Sequence, residues 1–167
     1  MSTFTASYTY THTVTHVTTK MLLLVKEIIR ESGLDPAKFA ADWDNNQRGI
    51  RSWLESGHLR RVLLEIFHPV TGALILRWDL DIAYEWSGGD GSFYTDTAQL
   101  KYAIFKAGVA PADAKYDILL QVAPGSPDVN GWGDGASRST AGMSRHALGN
   151  TIDHSGLGAS AAYWRRA

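Results

Sequence analysis

The sequence predicts an α+β fold: a central antiparallel sheet packed on about three helices, finished by an irregular C-terminal segment. Three observations predict it. Leu59–Tyr84 (LRRVLLEIFHPVTGALILRWDLDIAY) reads as two strands joined by a tight turn. Apolar residues at helical spacing precede and follow that hairpin. Glycine then collects near the C-terminus, where eight of the sixteen glycines fall between Gly125 and Gly158 and apolar residues lose their periodicity.

In the hairpin, Val62, Leu64 and Ile66 point one way and Leu63, Glu65 and Phe67 the other, the period-two pattern of a strand. Leu74, Leu76, Trp78, Leu80 and Ile82 line one face of the second strand, and Ile75, Arg77, Asp79 and Asp81 the other. Pro69–Gly72 supplies the turn, because proline presets φ and glycine accepts positive φ. One face is apolar and needs a cover, and the opposite face reads as solvated.

Met1–Tyr10, rich in Ser and Thr with Phe4, Tyr8 and Tyr10 interspersed, reads as a short edge strand or a loose tail. From Thr11 the spacing turns helical: Val14, Val17, Met21, Leu24, Val25, Ile28 and Ile29 form a stripe that stops at Gly33, a suitable C′ glycine. Leu22 and Leu23 widen the apolar girth, which places this helix under the sheet. Asp35-Pro36 opens a second helical piece with Phe39, Ala40 and Trp43 on its apolar side. Asn45-Asn46 is a candidate interruption, after which Ile50, Trp53 and Leu54 continue to a stop near Gly57. Beyond the hairpin, Trp86–Ser92 is a glycine-rich loop or bulge. Asp96 is a candidate N-cap for a helix striped by Leu100, Ala103, Ile104 and Ala107 and ended by Gly108. Tyr116–Ala123 is a third core strand. From Pro124 the chain reads as a movable C-terminal wrap with isolated anchors (Trp132, Met143, Leu148, Ile152, Leu157), and Ala159–Arg166 as a final strand.

At 167 residues the chain is one domain with room for a core, and 44% hydrophobic with 20% charged residues is an ordinary composition. A net charge of −1 and the absence of basic patches give no electrostatic reason to expect direct nucleic-acid or membrane binding. There is no cysteine, hence no disulfide framework or thiolate chemistry. The apolar run Met21–Val25 is too short to span a bilayer, so a cytoplasmic location is the default.

Several stretches imitate chemical motifs. His12 and His16 have metal-ligand spacing but lack the glutamate of an HExxH site. Asp128–Ser139 resembles a calcium loop whose closing glutamate is replaced by Ser139. Gly88, Gly89 and Gly91 lack the lysine and Ser/Thr of a phosphate loop. Ser139 and Ser144 lie near His146 in sequence, which says nothing of triad geometry. Asp79 and Asp81 share a strand face ~7 Å apart, so a small metal-dependent hydrolase using Asp79, Asp81 and a histidine stands as the alternative from the enzyme class. No third carboxylate joins them. No cofactor and no metal are expected, and a binding module is favoured over an enzyme.

The order of elements resembles the HORMA domain. Trp53-Leu54, Val62–Ile66 and Arg77–Ile82 look like the matching stretch of the spindle-checkpoint HORMA protein. The pieces YTHTVTH, GLDPAKFAADW, GDGSFYTDT, PGSPDVNGW and GLGASAAYW are similar to a bacterial HORMA family, whose members occur with cGAS/DncV-like nucleotidyltransferases (CD-NTases) in anti-phage operons of the CBASS type. The resemblance covers nearly the whole chain.

That resemblance implies a single HORMA domain, with residues 1–10 as N-terminal tail, 11–123 as core and 124–167 as C-terminal safety belt. The belt wraps a closure-motif peptide that adds a strand to the sheet, where main-chain bonds provide affinity and side-chain pockets specificity. It implies a peptide bordered by Tyr116, Ile118, Leu120 and Val122, with Trp132, Leu148, Ile152, Tyr163 and Trp164 contributed by the belt. It implies as partners a CD-NTase activated by the closed form, and an AAA+ ATPase that reopens it by pulling on Ser2–Tyr10, with Thr3, Phe4, Thr5 and Tyr8 as the handle. A HORMA-like scaffold without a nucleotidyltransferase partner is the remaining alternative.

Overall fold

The computed structural model describes residues 3–84, 93–95, 97–154 and 157–166; in the first helix side chains are described from His12 onward. Among the described residues the helices are α1 (Thr3–Glu31), α2 (Ala37–Ala41), α3 (Trp43–Glu55) and α4 (Thr97–Ala107). The strands are β1 (Leu59–Phe67), β2 (Leu74–Tyr84), β3 (Phe93–Thr95), β4 (Lys115–Val122), β5 (Met143–His154) and β6 (Leu157–Arg166). They form one antiparallel sheet in the order β3-β5-β6-β2-β1-β4.

The hairpin forms as expected, and its register sets Val62 opposite Leu80, Leu64 opposite Trp78 and Ile66 opposite Leu76. His68 closes its turn: its backbone N–H donates to the Ala73 carbonyl and its carbonyl accepts from Gly72 N–H, each at 2.9 Å, with Gly72 at φ 72°. The helix-facing residues Val62, Leu64, Ile66, Trp78 and Leu80 are buried against α1 and its neighbours. The other face is not solvated as the alternation suggested. Leu63 and Glu65 are fully buried, and Asp79 nearly so; Arg138 reaches back over Glu65, and the Trp164 side chain of the neighbouring strand covers Asp79.

α1 starts at Thr3 rather than near Thr11, so its first turns take up the segment expected to be a tail or edge strand. Each threonine costs a helix interior up to ~0.7 kcal/mol, but extending an existing helix avoids the nucleation penalty. The helix ends as expected: Gly33 (φ 86°) donates to the Arg30 carbonyl and Leu34 to that of Ile29, a Schellman closure. Met21, Leu22, Val25 and Ile28 are buried, while Leu23 is exposed.

The break between α2 and α3 falls at Asp42, not at Asn45-Asn46; Asn46 is buried within α3. Asp35 Oδ1 accepts from Ala37 N–H at 2.9 Å and opens α2. Phe39 is buried, whereas Ala40, expected on the apolar side, is exposed. In α4, Leu100, Ala103 and Ile104 are buried and Gly108 (φ 90°) follows the last turn. Trp86–Ser92 and Asp96 lie outside the described residues.

The C-terminal third departs most from the sequence reading. Met143–His154, expected to be irregular, is a long strand, and the final strand begins at Leu157 instead of Ala159. Register shifts at Ala147/Gly149 and Asn150/Ile152 explain why β5 shows no alternation in sequence. β6 pairs with β2 along its whole length, Leu76 opposite Arg165 through Tyr84 opposite Leu157. β4, read as a core strand, is an edge strand bonded among the described residues only to β1, and most of its residues are half-exposed.

Candidate functional site

The free edge of β4 is the feature around which potential binding groups converge. Ala123 N–H donates to the His58 carbonyl at 2.8 Å, so that position faces β1. The Tyr116 carbonyl instead accepts from Lys38 Nζ at 3.0 Å, on the outer side. In an antiparallel ladder this alternation turns the backbone groups of Ile118, Leu120 and Val122 outward as well. Such an edge is a template for a further strand.

A chain segment guards that edge without pairing to it. Residues 123–142 must travel from β4 to β5, on opposite sides of the hairpin, and so pass from the helix face of the sheet to its other face. On the helix face, Trp53 Nε1 donates to the Pro127 carbonyl at 2.8 Å and Trp132 Nε1 to the Asn45 carbonyl at 2.9 Å. The two indoles meet edge-on with centroids 5.9 Å apart. Arg48 donates to the Asn130 carbonyl at 3.1 Å. Gly49 lets Trp132 sit against α3, since a Cβ there would stand 2.4 Å from the indole nitrogen.

On the other face, Arg138 reaches back to β1 and β4. Its backbone N–H donates to Glu65 Oε2 and its Nη1 to Oε1, both at 2.9 Å, while Nη2 lies 3.3 Å from Asp117 Oδ2. Its guanidinium stacks 3.5 Å from the Phe67 ring centroid. Glu65 is fully buried, so Arg138 is the group that makes its charge tolerable there. The segment is thus tied at both ends, and between the ties two open cavities, of about 240 and 390 Å³, separate it from β4.

Of the sequence-predicted residues, Tyr116, Ile118, Leu120, Val122 and Trp132 line these cavities. Leu148, Ile152, Tyr163 and Trp164 sit on β5 and β6, with β2 and β1 between them and the β4 edge. Tyr163 packs between Trp78 and His146, Ile152 is core, and Leu148 packs at its margin. Trp164 Nε1 donates to Asp79 Oδ2 at 3.0 Å, and its ring lies under the Arg77 guanidinium. The side chains of Thr3, Phe4, Thr5 and Tyr8 lie outside the described residues. Sequence reasoning missed Gly49, Asn45, Glu65 and Arg138. The one available signal was Glu65, an acid within the otherwise apolar run VLLEIF.

Tyr116 welds α2 to β4. Its hydroxyl donates to the Asp35 carbonyl at 2.8 Å and accepts from Phe39 N–H at 3.1 Å. Burial pushes its pKa above the ordinary 10.0. The unfolded tyrosine therefore ionises first, and its contribution, present at neutral pH, is lost as pH rises above ~10. Tyr116→Phe is expected to lose ~1–3 kcal/mol in denaturant unfolding at pH 7, because the buried Phe39 N–H and the half-buried Asp35 carbonyl lose their partner. Its stability should also fall less steeply above pH 10 than that of the parent; identical alkaline slopes would remove Tyr116 as the cause.

The carboxylates of the enzyme alternative are committed elsewhere. Asp79 is gripped by Arg77 Nε and Nη2 at 2.7 and 3.0 Å, and Asp81 pairs with Arg61 and lies 3.7 Å from Arg145. Among the described residues no group of three or more His, Asp or Glu is placed to hold a metal ion. Nor is any described helix long and apolar enough to cross a membrane.

The sequence pattern of the family described as bacterial HORMA domain 2 matches residues 1–167. No curated protein sequence matches the chain. Among solved structures, a chain of the mitotic checkpoint complex is similar at TM-score 0.75 and 12% identity, covering 92% of this chain and 98% of that one. C. elegans HTP-2 bound to a HIM-3 closure motif is similar at 0.63 and 13%, covering 86% and 85%. A chain of the E. coli MS115-1 CdnC:HORMA-deltaN complex is similar at 0.59 and 11%, covering 94% and 89%. At these identities the likeness is one of fold.

Proposed function

Because the chain belongs to the bacterial HORMA domain 2 family, we propose that it is a peptide-binding adaptor. In this reading an extended closure-motif peptide pairs with the outer edge of β4 beneath residues 124–142, and the closed assembly binds and activates a CD-NTase in anti-phage signalling. The observation that carries the reading is the unpaired β4 edge under a segment tethered on both faces of the sheet. Backbone pairing would supply affinity, and the segment would slow release by lying over the bound strand. HTP-2 holding a closure motif and a chain from a complex with CdnC support the two halves of the reading.

We further propose residues 1–10, 11–123 and 124–167 as functional units: handle, body and belt. An AAA+ ATPase would engage the start of α1; the helix as a whole contacts β5 and β6, so unwinding it from that end would loosen the strands that anchor the belt. The cytoplasm is where such a partner set would meet.

Two measurements separate capture from activation. Affinity capture from the source organism's lysate is expected to retain a nucleotidyltransferase on the intact protein and to lose it when the belt is dislodged by a point variant. Added to that enzyme, peptide-loaded protein is expected to raise second-messenger synthesis at least tenfold, the factor worth 1.4 kcal/mol of barrier. Unchanged synthesis with a stable complex would remove activation and leave capture. Truncation at Gly125 is a poor test, since it also strips buried Leu157, Ala159 and Ala161 from the core and bares β2.

A further inference from the structure

The chemistry lining the space beneath the belt specifies the class of peptide it takes. One wall is apolar: Trp53, Ile118, Leu120 and Val122 border the larger cavity, and Trp132 borders both. The even-numbered β4 side chains, Tyr116 to Val122, project toward the helices, while Asp117 and Leu119 project to the other face. A strand added to this edge would place every second side chain in the Trp53 and Ile118 row.

The charges are one-sided. Asp42 and Asp117 line the smaller cavity, and Asp128 and Asp134 the larger one. Lys38 is the one cation on either wall, and it is spent on Asp117 and the Tyr116 carbonyl. Asp117 also meets Arg138. Asp42, Asp128 and Asp134 form no ion pair among the described residues. With Asp117 balanced by Lys38 and Arg138, the three carboxylates of Asp42, Asp128 and Asp134 stay uncompensated in the lining, whereas the whole chain carries only −1. Asp128 follows Pro127, which Trp53 holds on the helix face, and Asp134 precedes Gly135, which lies against Leu119 on the other. The two carboxylates thus stand where the belt crosses the free edge.

We propose that the ligand is an extended peptide with apolar residues at alternate positions and at least one lysine or arginine, read by Asp128 and Asp134. The inference rests on peptide capture at β4. Backbone pairing alone would accept almost any sequence, the tryptophan wall selects the apolar row, and the belt carboxylates reject acidic competitors.

The test is selection of a random phage-displayed peptide library on the intact protein, followed by fluorescence anisotropy of the enriched peptides. Each is measured beside its Lys/Arg→Gln version, against the protein and D128N/D134N. Enrichment of basic over acidic peptides is expected. The double variant, whose changes are exposed, is expected to weaken the basic peptides about fivefold and the glutamine versions less than twofold, with the difference shrinking at high salt. Enriched peptides that are neutral or acidic, or equal weakening of both versions, would overturn the charge assignment and leave capture standing. No enrichment at all would overturn capture, and the peptide class with it.

Discussion

Arg138→Ala is expected to cost about 3 kcal/mol and to release the belt from the sheet. The cost of removing one partner of a buried ion pair is ~3–5 kcal/mol, and the low end applies because Arg138 is itself partly exposed. Glu65 is fully buried on β1, and in the variant its carboxylate keeps only the backbone N–H of residue 138. The belt can then lift to admit water to the unpaired carboxylate. This predicts rescue by Glu65→Gln, which removes the charge while keeping an acceptor for that N–H. R138A/E65Q should therefore recover about half of the lost stability, a non-additive result for residues in contact. Denaturant unfolding gives the energies, and hydrogen exchange at residues 127–138 reports the belt. An R138A protein with parental stability and unchanged exchange would show that the pair does not hold the segment.

The second large effect separates belt from body. Gly49→Ala places a methyl group where the Trp132 indole lies, at 2.4 Å from its nitrogen, so the side chain must leave its seat on α3. It would surrender its bond to the Asn45 carbonyl and its contact with Trp53. Within a helix, alanine is better than glycine by ~1 kcal/mol, so α3 itself should not suffer. The expected outcome is unfolding stability within about 1 kcal/mol of the parent together with at least tenfold weaker peptide binding, equivalent to 1.4 kcal/mol. Trp132→Ala is the companion variant, since it empties the same seat without a clash. Both should bind peptide poorly, and G49A/W132A should be no worse than W132A alone. Parental affinity in G49A would mean that Trp132 is not an anchor of the bound state.

The two variants also bear on the rest of the molecule. If the tethers at Trp132 and Arg138 act on the same closed arrangement, losing either should raise exchange along the whole segment between them. Independent local responses would mean that the helix-face and outer-face ties work separately, and the belt would then be two contacts in series.

How far the residues alone reached can be seen element by element. The hairpin, the stripes of α1, α3 and α4, and the glycine stops at Gly33, Gly57 and Gly108 were legible, because each depends on neighbours close in sequence. Apolar period and turn chemistry are local quantities. Asp42 as the α2–α3 break was not legible, since Asn46, a poor helix former, is held in α3 by burial. β5 was hidden by its register shifts, and the edge position of β4 by its apolar composition, which resembles that of a central strand.

The sequence by itself determined the α+β class, the hairpin at its centre, the glycine-rich composition of the C-terminal end and the resemblance that made peptide capture the expected activity. Only the tertiary structure decided which sheet edge is left open, where the C-terminal segment crosses it and which side chains hold it there. Strand order and edge exposure follow from pairings between residues far apart in the chain, of which Arg165 opposite Leu76 and Arg138 on Glu65 are two. No local pattern encodes such a pairing. Its free energy comes from backbone bonds and buried surface that exist only once both partners are in place.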